Sequence, residues 1–248
     1  MKKGISVILA VLLAVSCLTG LSGCGSSKKT TLYVYNWGQY ISEGDDGSLD
    51  VIAAFEEAYP NIRVQYSTYD SNEIMYSKLS NGGITVDVII PSDYMIERLK
   101  NEDMLQKLDM SKITNYDLID EKYKNLYFDE NNEYSVPYNV GLVGLIYNTT
   151  MVDGTPDSWN VMWDEKYADN ILTFNNPRDA FAIAQFLLGI DVNTTDKAEW
   201  DRAAEKLKEQ NKVLQARVMD EVFNKMEQGN AAVAAYYAGD YLTMAEVN

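Results

Sequence analysis

TLYVYNWGQY at residues 31–40, IRVQYSTYDSNEIMYSKLSNGG at 62–83 and VDVIIPSDYMIERLKNE at 86–102 carry the reading that decides the fold. Thr31–Tyr35 and Ile62–Thr68 are β-rich runs of aromatic and β-branched residues. Val86–Ile90 reads as a buried strand that stops at Pro91. Between them, Ser48 is expected to cap a helix with Val51, Ile52, Phe55, Ala58 and Tyr59 on one side, ended by Pro60. Asp70 or Ser71 caps a second helix carrying Ile74, Met75 and Leu79, which closes at Gly82-Gly83. Asp93–Glu102 is a third. The order βαβαβα predicts a parallel sheet with helices on its faces.

The pattern continues outward. Residues 103–133 are polar and irregular, and Tyr134–Tyr138 and Gly141–Tyr147 are two more β-type runs. A second set follows: helical turns over Trp159–Tyr167, a strand at Ile171–Phe174, and helices over Asp179–Leu188 and Asp196–Gln210. Asp220 caps a helix ending at Gly229, Ala231–Tyr237 is a buried strand, and Gly239–Val247 starts another helix. The expectation is two α/β lobes, 31–138 and 139–248. Asn248 falls inside or just after a helix, with no segment returning to the first lobe, so the C-terminal portion of the second lobe is expected to be missing.

The first residues read as a leader. Met1–Lys3 is basic, Ile5–Leu13 is continuously apolar, and Leu21-Ser22-Gly23-Cys24 has the form of a bacterial lipobox. Residues 1–23 are expected to be a lipoprotein signal peptide, Cys24 the lipidated first mature residue, and residues 24–30 a flexible tether. Export is then expected to leave the protein anchored on the outer face of the cytoplasmic membrane, in the periplasmic space of a Gram-negative cell.

Composition excludes several classes. The 248 residues carry 21 Lys and Arg against 37 Asp and Glu, a net charge of −16. Residues 1–23 hold two Lys and no acid, so the rest carries 19 against 37, or −18. Such a surface repels phosphate backbones, so no nucleic acid is expected as a partner. There is no His, and both Cys lie within the first 24 residues. His-based triads, His-ligated zinc and Cys-rich metal sites are thereby removed, and neither a metal nor a cofactor is expected. No G-x-S-x-G elbow occurs. Asp93 and Asp179 could form a glycosidase-like pair, yet Asp93 serves equally well as an acid at a helix N-terminus. The protein is expected not to be an enzyme.

In open parallel sheets, ligands bind beyond the carboxyl ends of the strands. Asn36-Trp37-Gly38-Gln39-Tyr40, Pro91-Ser92-Asp93-Tyr94, Asn175-Asn176-Pro177-Arg178-Asp179 and Tyr237-Ala238-Gly239-Asp240 occupy such positions. They share aromatic rings and carboxylates, the groups that attract organic cations. Trp37, between Asn and Gly, is expected on a loop.

Tyr35–Tyr40, Tyr66–Glu73 with Met75-Tyr76, Val86–Ser92, Tyr134–Tyr138, and Ser158-Trp159 leading to Trp163–Tyr167 resemble the bacterial spermidine/putrescine-binding proteins. The resemblance runs from about Thr31 to Asn248 in one order. It implies a two-lobed fold of the periplasmic-binding-protein type (type II), each lobe a mainly parallel sheet flanked by helices. It also implies capture of polyamines for the permease subunits of an ABC importer, by a protein expected to be a monomer. Residue by residue, Trp37 and Tyr40 match aromatics that contact the polyamine chain, Ser92 and Tyr94 match the pair after the third strand, and Asp179 matches a carboxylate that pairs with an amine. Gly38 replaces a common polar residue, Asn176 stands where some members have a second Asp, and Tyr237 stands where Trp is usual. The same fold binding a sugar, an amino acid or another cation is the alternative, with an exported carboxylate-dependent hydrolase behind it.

Overall fold

The computed structural model describes residues 29–247. Seven strands and seven helices are assigned among them. The chain divides into two compact units, one of Glu43–Gln65 with the chain up to Leu32, the other of Tyr33–Ser42 and Tyr66–Asn248.

The smaller unit holds the first helix, α1 (Val51–Ala58). Its N-cap is Asp50, whose carboxylate accepts Ala53 N–H at 2.8 Å. Ser48 instead closes a short 3-10 turn at Asp45–Gly47, a correction to the expected cap. No residue of α1 is fully buried, and its Phe55 packs on Tyr59 with ring centroids 4.7 Å apart.

The first sheet has the order β2-β1-β3, with β1 at Thr30–Trp37, β2 at Ile62–Tyr69 and β3 at Val88–Ile89. β3 runs parallel to β1, pairing Val34 with Val88 and Tyr35 with Ile89. Two expectations change here. The third strand is two residues long and Val88 is exposed, so VDVII is not a buried strand. β1 extends two residues further than expected, which makes Trp37 its last residue and buries it. Helix α2 (Asn72–Ser80) is capped by Ser71, whose hydroxyl accepts Ile74 N–H. Helix α3 (Asp93–Asn101) follows β3 and buries Met95 and Leu99.

Residues 103–142 contain three 3-10 turns and no strand, so the expected β-run at Tyr134–Tyr138 does not form. Buried hydrogen bonds order the segment in place of a ladder. The Asp129 carboxylate, itself buried, accepts from the backbone N–H of Glu133, Tyr134 and Ser135 and from the Ser135 hydroxyl.

The second sheet has the order β4-β7-β5-β6, with β4 at Val143–Tyr147, β5 at Ile171–Phe174, β6 at Leu214–Val218 and β7 at Val233–Tyr237. β5 is parallel to both β6 and β7, whereas β4 is antiparallel to β7. All four residues of β5 and four of the five in β7 are buried, as central strands covered on both faces require. β6 was not expected, because Leu214-Gln215-Ala216-Arg217-Val218 alternates weakly and follows a charged helix. Helices α4 (Pro177–Leu188), α5 (Lys197–Gln210), α6 (Glu221–Glu227) and α7 (Asp240–Val247) complete the layers. Ala184 of α4 packs with Ala203 and Leu207 of α5. One apolar core runs through the larger unit, from Tyr35, Trp37 and Tyr69 to Phe174, Val233 and Tyr236.

Candidate ligand-binding site

The end of β5 places the central carboxylate. Asn176 is the N-cap of α4, and its Oδ1 accepts Arg178 N–H at 3.1 Å. Pro177 occupies the first helical position, where a missing N–H costs nothing. Asp179 then lies in the first turn, and its Oδ2 accepts two bonds of 2.7 Å, from Asn176 Nδ2 and from Tyr237 Oη. Tyr237 is the last residue of β7, which brings its ring beside Phe174 at 5.0 Å between centroids. Burial pushes the Asp179 carboxyl above the ordinary carboxylate range; the Tyr237 bond and the Arg178 charge pull it down, and the Glu73 charge pushes it up. Tyr237 is itself pushed well above the usual phenol range, first by burial and then by the Asp179 charge.

Aromatic rings come from the first sheet. Trp37 stacks obliquely on Tyr69 (4.9 Å) and lies 6.3 Å from Tyr40. Tyr40 lies 6.0 Å from Tyr138, whose hydroxyl donates to Tyr40 O at 2.7 Å. Burial raises the Tyr40 pKa, with Asp240 and Asp179 adding to it, so the ring stands in an acidic field.

Ser92 and Tyr94 are joined through Asn72. Asn72 Oδ1 accepts Ser92 N–H at 3.3 Å, and Asn72 Nδ2 donates to Tyr94 Oη at 3.0 Å. Tyr94 Oη donates to Glu73 Oε1 at 2.8 Å, and the Arg178 guanidinium lies 4.5 Å over the Tyr94 ring. Asp93 stays exposed and accepts its neighbour's N–H from Tyr94 at 2.7 Å; nothing pairs it with Asp179.

Gly38 faces a different group. A Cβ there would stand 2.3 Å from Asp220 Oδ2. Asp220 Oδ1 accepts from Tyr236 Oη at 3.3 Å, so this acid is more than a helix cap. Burial raises the Asp220 carboxyl, with the Asp70 and Glu221 charges adding; burial likewise raises Asp240, with Asp220 adding. Gln39, in left-handed backbone (φ 56°), lines a cavity of 490 Å³ with Asp70, Asn175, Asp220, Glu221 and Thr243. None of the eight residues expected from the sequence lines that cavity.

The structure thus brings Asn176, Asp179 and Tyr237 together, sets Trp37 beside Tyr40, and links Ser92 to Tyr94. Residues missed at the sequence level are Tyr69, Asn72, Glu73, Tyr138, Arg178 and Asp220. Tyr69, Asn72, Glu73, Tyr138 and Arg178 fall inside segments the sequence singles out, and Asp220 at an expected helix cap, but which partners they meet is decided by folding alone. Cys24 lies outside the described residues. Among the described residues, no group of three His, Cys, Asp or Glu is placed to hold a metal, and no helix is long and apolar enough to cross a membrane.

The chain is similar to proteins of one kind. It is 35% identical over 231 residues to the spermidine/putrescine-binding periplasmic protein of Salmonella typhimurium, covering 92% of this chain and 64% of the relative. It is 30% identical over 243 residues to the putrescine/cadaverine-binding protein of Pseudomonas aeruginosa, covering 93% and 64%. The chain therefore spans just under two thirds of these relatives' length. Among solved structures, the spermidine/putrescine ABC transporter substrate-binding protein PotD of Streptococcus pneumoniae matches with a TM-score of 0.66 and 37% identity, over 89% of this chain and 66% of that one. The TpPotD lipoprotein of Treponema pallidum matches with a TM-score of 0.75 and 30% identity, over 86% and 66%. The α/β architecture is that of these periplasmic-binding-protein structures. Residues 1–135 match a family described as hypothetical lipoprotein (MG045 family), and residues 84–245 match the one described as bacterial extracellular solute-binding protein. With that match over more than half its length, the chain belongs to the bacterial extracellular solute-binding protein family.

Proposed function

We propose that this protein captures polyamines outside the cytoplasmic membrane and delivers them to an ABC importer. The observation that carries the reading is Asp179, a carboxylate screened from water, hydrogen-bonded by Asn176 and Tyr237. A buried carboxylate with a raised pKa is an incomplete ion pair, and an ammonium group completes it. Trp37, Tyr40, Tyr94 and Tyr237 supply rings that can cover a methylene chain and attract a second cation. The names of the relatives support spermidine or putrescine over a sugar or an amino acid. Asn176 leaves one fewer negative charge than a two-Asp version would have, which bears on the choice between the two polyamines. No catalytic step is assigned to the chain.

The rest of the reading concerns the whole protein. It has two lobes, 31–138 and 139–248; the separate three- and four-stranded sheets support this division. Cys24 carries the lipid anchor; the lipobox at Leu21–Cys24 and the lipoprotein family match support this. Permease subunits are the protein partner, and the protein acts as a monomer. Calorimetric titration with putrescine, spermidine, arginine and a neutral sugar tests the reading. Saturable binding of a polyamine at 1:1 stoichiometry is expected. Equal binding of the sugar, or no heat from either polyamine, would sink it.

A further inference from the structure

Glu73 stands in the first turn of α2, outside the set of residues expected to contact ligand. Its Oε1 accepts the Tyr94 hydroxyl at 2.8 Å, and its Oε2 is buried with no hydrogen-bond partner. The same hydroxyl accepts from Asn72 Nδ2 at 3.0 Å. A phenol has one proton to donate, and Glu73 takes it. Asn72 is fully buried and also holds Ser92 N–H, so the hydroxyl is clamped between two neighbouring residues at the start of one helix. Across the ring, the Arg178 guanidinium lies 4.5 Å from the centroid. A hydrogen bond to a charged acceptor is stronger than one to a neutral acceptor, so the carboxylate is the firmer half of the clamp.

We propose that Glu73 is a positioning residue of the candidate polyamine site, holding Tyr94 so that a bound chain meets the ring and not the hydroxyl. This role rests on the polyamine reading given above. With its proton committed to Glu73, Tyr94 offers ligand a π face, which suits methylene groups and ammonium ions alike. The unpaired Oε2 gives Glu73 a second, longer-range effect: its charge raises the Asp179 carboxyl, which also feels Tyr237 and Arg178. Tyr94 is pushed above the usual phenol range by burial and by Glu73, while Asn72 and Arg178 oppose the shift.

Glu73→Ala and Glu73→Gln in the full chain separate these effects. Putrescine and spermidine titrations over a pH series, with apo melts, are the measurements. Glu73→Ala is expected to weaken polyamine binding about tenfold, as loss of one hydrogen bond to a charged group does. Glu73→Gln keeps a neutral acceptor for Tyr94 and is expected to recover most of that loss at neutral pH, binding within about threefold of the native chain. Its binding should also persist to lower pH, because Asp179 no longer feels a neighbouring negative charge. Native-like binding by Glu73→Ala would overturn the proposal. So would equal loss in both variants, which would make Glu73 a direct charge contact. Lowered apo melting in both variants without rescue by Gln would reduce it to a fold residue and overturn the proposal too. If Glu73→Ala does not fold, the pH shift of Glu73→Gln decides. Absence of binding by the native chain would sink the polyamine reading itself, an outcome read without either variant.

Discussion

Tyr237 Oη donates a 2.7 Å hydrogen bond to Asp179 Oδ2, joining the last residue of one buried strand to the first turn of the helix after its neighbour. β7 and β5 are parallel and adjacent, so their carboxyl ends lie on the same edge of the sheet. That edge is where open α/β sheets bind ligands.

Replacing the acid removes charge but little packing. Asp179→Asn is expected to weaken polyamine binding by about 2–4 kcal/mol, since a ligand ammonium loses its ion-pair partner. The apo melting temperature should hold or rise, because the native carboxylate is held above its ordinary pKa by burial. Calorimetry and apo melts of the variant check both arms; lower apo stability with full affinity would make Asp179 structural.

Trp37 behaves as a core residue. At 6% exposure, against Tyr69 and Tyr40, its truncation leaves a cavity. Trp37→Ala is expected to cost about 3–5 kcal/mol of folding stability along with affinity. Denaturant unfolding of the apo variant measures the first quantity, and an unchanged midpoint would return Trp37 to a purely ligand-facing role.

Gly38→Ala tests the close approach to Asp220. The added methyl would meet Oδ2 at 2.3 Å and must push the carboxylate aside, straining its bond from Tyr236. Because that carboxylate ends a flexible, exposed side chain, a loss of no more than about 1 kcal/mol is expected. Gly38→Ala combined with Asp220→Ala should recover most of it, as a double-mutant cycle would reveal.

Three acids at the strand ends set the response to pH. Asp179, Asp220 and Asp240 all have raised pKa values in the folded chain, burial being the largest cause in each. For such groups the stabilising contribution is fully present below the unfolded pKa and is lost as pH rises through the folded one. The apo protein is therefore expected to melt higher as pH is lowered from neutrality toward the carboxylate range. Polyamine affinity should fall over the same interval, because the ligand needs the ionised acid. Asn at all three positions should flatten the apo profile; an unchanged slope would assign it to other groups.

Asp129 tests what orders the irregular segment. Its carboxylate takes four hydrogen bonds while 3% exposed. Asp129→Ala leaves those donors without their acceptor and is expected to cost about 3 kcal/mol or more. Proteolysis within 103–142 should accelerate, and a native digestion rate would contradict this.

Local pattern alone determined much of this protein. The apolar runs at Ile62–Thr68, Ile171–Phe174 and Ala231–Tyr237 and the cap at Ser71 act through nearest neighbours, so strand, helix and order were legible, although the helix expected from Asp179 begins at Pro177 behind the Asn176 cap. The acidic charge and the absence of His excluded whole classes of chemistry before any coordinate. Where a local signal was weak, the reading failed: β6 alternates poorly, VDVII is short in the sheet, and Tyr134–Tyr138 is held by Asp129 rather than by a partner strand. The site belongs to the other category. Asp179 and Tyr237 are 58 residues apart, Tyr40 and Tyr138 are 98 apart, and Gly38 meets Asp220 across a still longer stretch of chain. Sequence placed Asp179, Tyr237, Gly38 and Tyr40 beside strand ends, but only strand pairing decides which ends share an edge. Burial, which raises the acids and seats Trp37 in the core, exists only once those strands and helices have closed over them.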